Sequence, residues 1–135
     1  MHNKPIMTHL TDDAWESDQA YIVGDANSIR WQTLVSGEHT ASEGLTFGVA
    51  EIMPGGRLRL HHHEAAETYY IVAGVGVVEI DGVRHEVGAG TAAFIPGNAR
   101  HRIVNIGTAV LQFVYTFPAD SFADVVYHFD EEIIT

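Results

Sequence analysis

The stretch "LRLHHHEAAETYY", Leu58 to Tyr70, puts three consecutive histidines, two glutamates and two tyrosines into 13 positions. Alternation with period two before it predicts a strand. On a strand, side chains at i and i+2 share a face. His61 and His63 then point one way and His62 the other, toward solvent or an interface. Glu67 follows four residues after His63, across an "EAA" step that can bend the chain back. His101, in "PGNARHRIVN", is a fourth candidate. Three imidazoles and a carboxylate suit one divalent transition metal ion (Fe, Mn, Ni, Co or Zn), with positions left for water or substrate.

The flanking sequence reads as short strands between turns. "IRWQTLVSG", "LTFGVAEIMPGG", "RLRLHHH", "ETYYIVAGVGVVEIDGVRHEV", "GTAAFIPGNARHRIVNIG" and "AVLQFVYTF" are apolar or alternating runs bounded by glycine, and Asp81-Gly82 is a hairpin turn signal. Roughly eight to ten strands fit an antiparallel sandwich or small barrel. Residues 1–28 differ, being polar with Trp15, Tyr21, Ile22 and Val23 as anchors. They are expected to pack on the barrel domain, 29–135, or on a partner subunit. Thr11 in "TDDAWES" is a candidate N-cap of a short helix. The tail "DSFADVVYHFDEE" reads as a turn and a last strand, and "DEEII" as solvated acids.

Composition narrows the function classes. The 135 residues suit one domain, with 46% hydrophobic and 10% aromatic residues for a core. Seven basic against 18 acidic residues give a formal net charge of −11, which disfavours nucleic acid and anionic membrane as partners. There is no cysteine, so disulfides and thiolate chemistry are excluded. No run has the length of a signal peptide or membrane span, and a cytoplasmic protein is expected.

Spacing makes the metal assignment specific. Gly55, His61, His63, Glu67 and Gly74 form one segment, and Gly90, Pro96, His101 and Asn105 a second. The pair resembles the two motifs of the cupin superfamily from about Leu45 to Phe117. One departure is Asn98 where a glycine usually stands. Asparagine best tolerates a left-handed turn among the other residues. The resemblance implies an all-β, double-stranded β-helix (jelly-roll-like) barrel. It implies that His61, His63, Glu67 and His101 hold the metal, and that the protein is a homodimer.

A finer resemblance follows. His-x-His-x-x-x-Glu-x-Tyr, with "FVYTFPADSFADVVYHF" downstream, is similar to the cupin-type dimethylsulfoniopropionate (DMSP) lyases, which release dimethyl sulfide and acrylate. It implies that Tyr69 is the catalytic base and Tyr127 a second pocket tyrosine. A phenol beside a divalent cation is expected to have its pKa lowered. Trp31, Phe94, Phe113 and Tyr115 are candidates to hold the sulfonium by cation–π contact. Arg59 shares parity with His61 and could bind a carboxylate, although a solvated arginine is the simpler reading. Arg57, Arg84, Arg100, Arg102, His85 and His128 read as surface or interface residues. Two other classes fit the same motif. One is a cupin dioxygenase, isomerase or decarboxylase acting on a small organic or sugar acid, and the other is a non-catalytic binder of a small ligand.

Overall fold

Strands begin where the sequence alternates and end at its turn residues. The computed structural model describes residues 4–130. Twelve strands are assigned there: β1 Ile22–Val23, β2 Ile29–Val35, β3 Thr46–Ile52, β4 Arg57–Leu58, β5 His61–His62, β6 Glu67–Ala73, β7 Val75–Ile80, β8 Val83–Gly88, β9 Ala92–Ile95, β10 His101–Asn105, β11 Leu111–Phe117 and β12 His128–Phe129. No α-helix occurs among the described residues; three short 3-10 turns do. The count exceeds the eight to ten expected because β1, β4, β5 and β12 are only two residues long.

The strands form two antiparallel sheets packed as a jelly-roll-like sandwich. One runs β2-β3-β11-β6-β9; the other joins β1, β4, β10, β5 and β12, with β7 pairing β10 and β8 pairing β7. Alternation decides which face is buried. Along β11, Leu111, Phe113, Tyr115 and Phe117 are buried while Gln112, Val114 and Thr116 are not. Ile52, Ile71, Val78, Ile95, Ile103 and Leu111 complete a core that is essentially closed to water. Each such side chain contributes about 1.5–3 kcal/mol by burial. Asp81 (φ 47°) and Gly82 (φ 82°) both take left-handed backbone, which closes the β7–β8 hairpin.

One cross-strand row sets the shape of the interior. Thr33, Gly48 and Tyr115 are in register across β2, β3 and β11. The Tyr115 ring lies over Gly48, where an added Cβ would fall 2.2 Å from the ring. Its hydroxyl reaches the Thr33 hydroxyl at 2.8 Å.

The expected helix at Thr11 does not form. The Thr11 N–H donates to the Gln32 side-chain oxygen, and the Thr11 carbonyl accepts from the same amide. Both backbone groups are thus committed to β2. The first 3-10 turn comes later, at Gln19–Tyr21, capped by Asp18.

The run "RLRLHHH" is not one regular strand either. Arg57 pairs with Val104 and His61 with His101. Four steps on one side therefore match three on the other, so the chain bulges at Arg59 and Leu60. Parity does not carry across such a bulge. Of "DEEII", Asp130 is largely covered, with Oδ2 3.2 Å from His62 Nδ1 and Oδ1 3.5 Å from Arg100 Nε. Residues 131–135 lie outside the described residues.

Candidate metal centre

β5, β6 and β10 bring the four sequence-predicted donors together. His61 faces His101 directly in the β5–β10 register, and their rings are 4.2 Å apart. His63 follows β5, and the bend at Glu64–Ala65 returns the chain into β6, which opens with Glu67. Asn98 holds the second loop against the first. At φ 64° its N–H donates to the His63 carbonyl at 2.8 Å. One ligand atom from each of His61, His63, Glu67 and His101 lies within 4.8 Å of the others. All four residues are at most 3% exposed.

Backbone carbonyls orient the three rings. His61 Nδ1 lies 2.8 Å from the Arg59 carbonyl, His63 Nδ1 2.8 Å from that of Ala65, and His101 Nδ1 2.8 Å from that of Ala99. A carbonyl only accepts, so the single proton of each neutral ring sits on Nδ1 and leaves Nε2 bare. His63 Nε2 and His101 Nε2 then stand 3.2 and 3.0 Å from Glu67 Oε1. His61 Nε2 is buried with no hydrogen-bond partner. Lone pairs converging on one buried point repel unless a cation sits among them. The donor set fits one divalent metal ion.

The titration directions agree. Burial first, then the neighbouring His101, pushes the His61 pKa down to about 3, so the ring is neutral and ready to ligate. Burial alone would raise the Glu67 carboxyl. Hydrogen bonds from His101 and His63, which form when Nε2 of those rings carries a proton instead, outweigh it and hold the group below its ordinary value.

An aromatic cavity adjoins the donors, lined by Glu67, Tyr69, Tyr127, Tyr21, Trp31, Phe113, Tyr115 and Phe122 with Ile29, Ala50, Ile52 and Leu58. Tyr69 is buried two residues after Glu67, with its ring 6.3 Å from that of His101, while Tyr70 is half exposed. Burial, then the Glu67 carboxylate, raises the Tyr69 hydroxyl well above its ordinary pKa. For the protein alone this is opposite to the lowering expected beside a cation. Tyr127 stacks on His61, and burial raises its hydroxyl too.

Other candidates fall elsewhere. Trp31, Phe113 and Tyr115 line the cavity, but Phe94 is 65% exposed on the edge strand β9. The bulge turns Arg59 away, with its guanidinium over the Phe129 ring at 4.7 Å and Nη1 donating to the Ala20 carbonyl. It is neither in the cavity nor simply solvated. His62 faces outward as parity predicts, and His128, read as a surface or interface residue, stacks on it at 5.1 Å. His85 and Arg84 are exposed.

Sequence reasoning missed Tyr21, Phe122 and Leu58 as cavity walls. Tyr21 stood out only as an apolar anchor in a polar segment. It also left Asn105 without a role. This buried amide donates to the Ile52 and Ala109 carbonyls and accepts from Gly107 N–H, pinning the turn after β10 to the end of β3.

Comparison with known proteins supplies the family. The cupin domain family matches residues 48–117. The DMSP lyase DddW of Ruegeria pomeroyi is 44% identical over 101 residues, 75% of this chain and 66% of that protein. The oxalate-binding protein of Thermotoga maritima is 30% identical over 92 residues, 67% of this chain and 76% of its own. A crystal structure of DMSP lyases superposes with a TM-score of 0.72 at 20% identity, over 87% of this chain and 62% of that one, which speaks for the fold. The match to DddW thus leaves about a third of that lyase uncovered. By motif spacing, donor geometry and family match, the chain belongs to the cupin family.

Proposed function

We propose that the protein is a metal-dependent lyase that cleaves DMSP to dimethyl sulfide and acrylate. The observation that carries this reading is the character of the cavity. Among the described residues, aromatic rings surround its one carboxylate, Glu67, and no Lys or Arg lines it. Such a chamber favours an onium ion over a second anion. The 44% identity to a DMSP lyase points the same way.

In this reading His61, His63, Glu67 and His101 hold one divalent ion. When bound, that ion supplies positive charge that neutralises a substrate carboxylate and favours deprotonation beside it. The chain's own residues do the rest. With a cation held by the four donors to offset the rise from burial and Glu67, Tyr69 Oη would release its own proton to solvent and, as phenolate, take the proton from the carbon next to the carboxylate. The electron pair forms the carbon–carbon double bond as the carbon–sulfur bond breaks. The sulfonium leaves as neutral dimethyl sulfide and needs no acid. Trp31, Tyr115 and Phe113 offer ring faces to the sulfonium. Tyr127 walls the site over His61. The aromatic lining excludes water from the abstracted proton.

A second reading is a cupin decarboxylase or dioxygenase of a small acid. The 30% identity to an oxalate-binding protein favours it. Supplying metal-loaded protein with DMSP and with oxalate in parallel separates the two. Dimethyl sulfide from the first supports the lyase. Carbon dioxide, formate or peroxide from the second, without dimethyl sulfide, selects the alternative. A homodimer belongs to the same proposal and is tested by light scattering.

A further inference from the structure

The N-terminal turn and the C-terminal strand close on one bulge. Arg59 and Leu60 stand between the pairings of β4 and β5 with β10. The Arg59 N–H donates to the Tyr21 carbonyl at 2.8 Å, and the Leu60 carbonyl accepts from the Asp130 N–H at 2.9 Å. The Arg59 side chain spans the same two segments. Its Nη1 donates to the Ala20 carbonyl at 3.3 Å, and its guanidinium carbon lies 4.7 Å from the centre of the Phe129 ring. Phe129 in turn meets Tyr21 edge-on at 5.3 Å and lies 6.0 Å from Tyr127. Those two tyrosines touch at 4.9 Å, and both line the aromatic cavity. The Arg59 carbonyl, from the same residue, orients His61 through Nδ1.

We propose that Arg59 is a positioning residue: it clasps the Gln19–Tyr21 turn to β12 and so holds Tyr21 and Tyr127 at the spacing that seats a substrate beside the metal centre. Its part in turnover rests on the lyase reading; the clasp itself does not. The strands that follow the two tyrosines, β1 and β12, are only two residues long. A ladder that short holds weakly on its own. A guanidinium suits the task, because it presents an edge of N–H donors to a carbonyl and a flat face to a ring at once. Each contact is modest where water reaches it, and the two together join segments from distant parts of the chain. The walls at Tyr21 and Tyr127 then act as one body, and a substrate meets a cavity whose shape is already set.

Substitutions at Arg59 leave its N–H and carbonyl in place and so isolate the guanidinium. Metal-loaded full chains are compared by amide hydrogen exchange read by mass spectrometry. In Arg59→Met, which keeps an apolar stem, residues 18–23 and 127–130 are expected to exchange about tenfold faster, both together, while β3 and β11 keep their rates. Arg59→Lys returns a charged donor for the Ala20 carbonyl without the flat guanidinium, and should recover part of the protection at 18–23. With DMSP, Arg59→Met should raise KM about tenfold and leave kcat within about twofold, since Tyr69 and the four donors stay in place. Unchanged exchange, or faster exchange in only one of the two segments, would overturn the clasp. A loss carried wholly by kcat would overturn the positioning role. Where Arg59→Met does not fold, Arg59→Gln, a smaller change in polarity, carries the same expectations. The exchange comparison needs no turnover. Unmodified protein that releases no dimethyl sulfide would remove the lyase, and the exchange pattern would still decide the clasp.

Discussion

The Tyr127 ring stacks on that of His61, with centroids 4.7 Å apart and 21° between the planes. One of the four donors is therefore backed by a residue from the C-terminal segment. β12 makes this possible, because His128 and Phe129 pair with His62 and His61. The Tyr127 ring also meets His63 at 5.0 Å and Tyr21 at 4.9 Å. Removing it frees two ligands to turn. Tyr127→Ala is expected to weaken metal affinity about tenfold, as loss of a ligand-orienting neighbour does. Tyr127→Phe keeps the ring and should keep the affinity. Competition with a chromogenic chelator measures both.

Tyr69 poses a different question, since it shares the buried face of β6 with Glu67. If its hydroxyl takes the proton, Tyr69→Phe should lower kcat by about 100-fold or more at full metal occupancy. The ring would still pack on Phe113, now 4.8 Å away, so the melting temperature should move little. Turnover and metal content from one preparation decide the matter.

The metal-free protein should lose stability in acid, and the sign follows from His61. Its pKa falls from 6.5 to about 3 on folding. Between those values the unfolded chain binds a proton that the folded chain refuses, so unfolding becomes easier as pH falls. One such group gives a slope of up to about 1.4 kcal/mol per pH unit. Glu67, lowered from 4.5, adds to the loss below that pH. Urea titrations of the apoprotein from pH 7 to 4 should show the decline beginning near pH 6.5. His61→Gln should flatten it above about pH 4.5.

Gly48→Ala tests the interior row. The added methyl would displace the Tyr115 ring and break its bond to Thr33. Overpacking of this kind costs about 1–3 kcal/mol, read from the urea midpoint. Because Tyr115 lines the cavity, turnover of DMSP by the metal-loaded protein should fall as well.

Much of this was legible in local pattern. Period two put His61 and His63 on one face without tertiary knowledge, and the resemblance of the two glycine-bounded segments to the cupin motifs added Glu67 and His101 to the candidate donor set. The same rule sent Tyr69 inward and Tyr70 outward. It failed at Arg59, where a one-residue bulge between two pairings broke the parity. Sequence order cannot show that mismatch, since it arises against β10, a strand far along the chain. Thr11 failed for a similar reason. The cap signal was genuine, but Gln32 offered both backbone groups a better partner. The cavity walls from residues 21 and 122 were hidden because they come from distant parts of the chain, and only the folded sandwich brings them to one cavity.

The central claim is the reaction. Purified protein reconstituted in parallel with Fe(II), Mn(II), Co(II), Ni(II) or Zn(II) is given DMSP, and headspace dimethyl sulfide is followed by gas chromatography. The account predicts metal-dependent release matched mole for mole by acrylate. Protein shown to be loaded that releases none with any of the metals would contradict it.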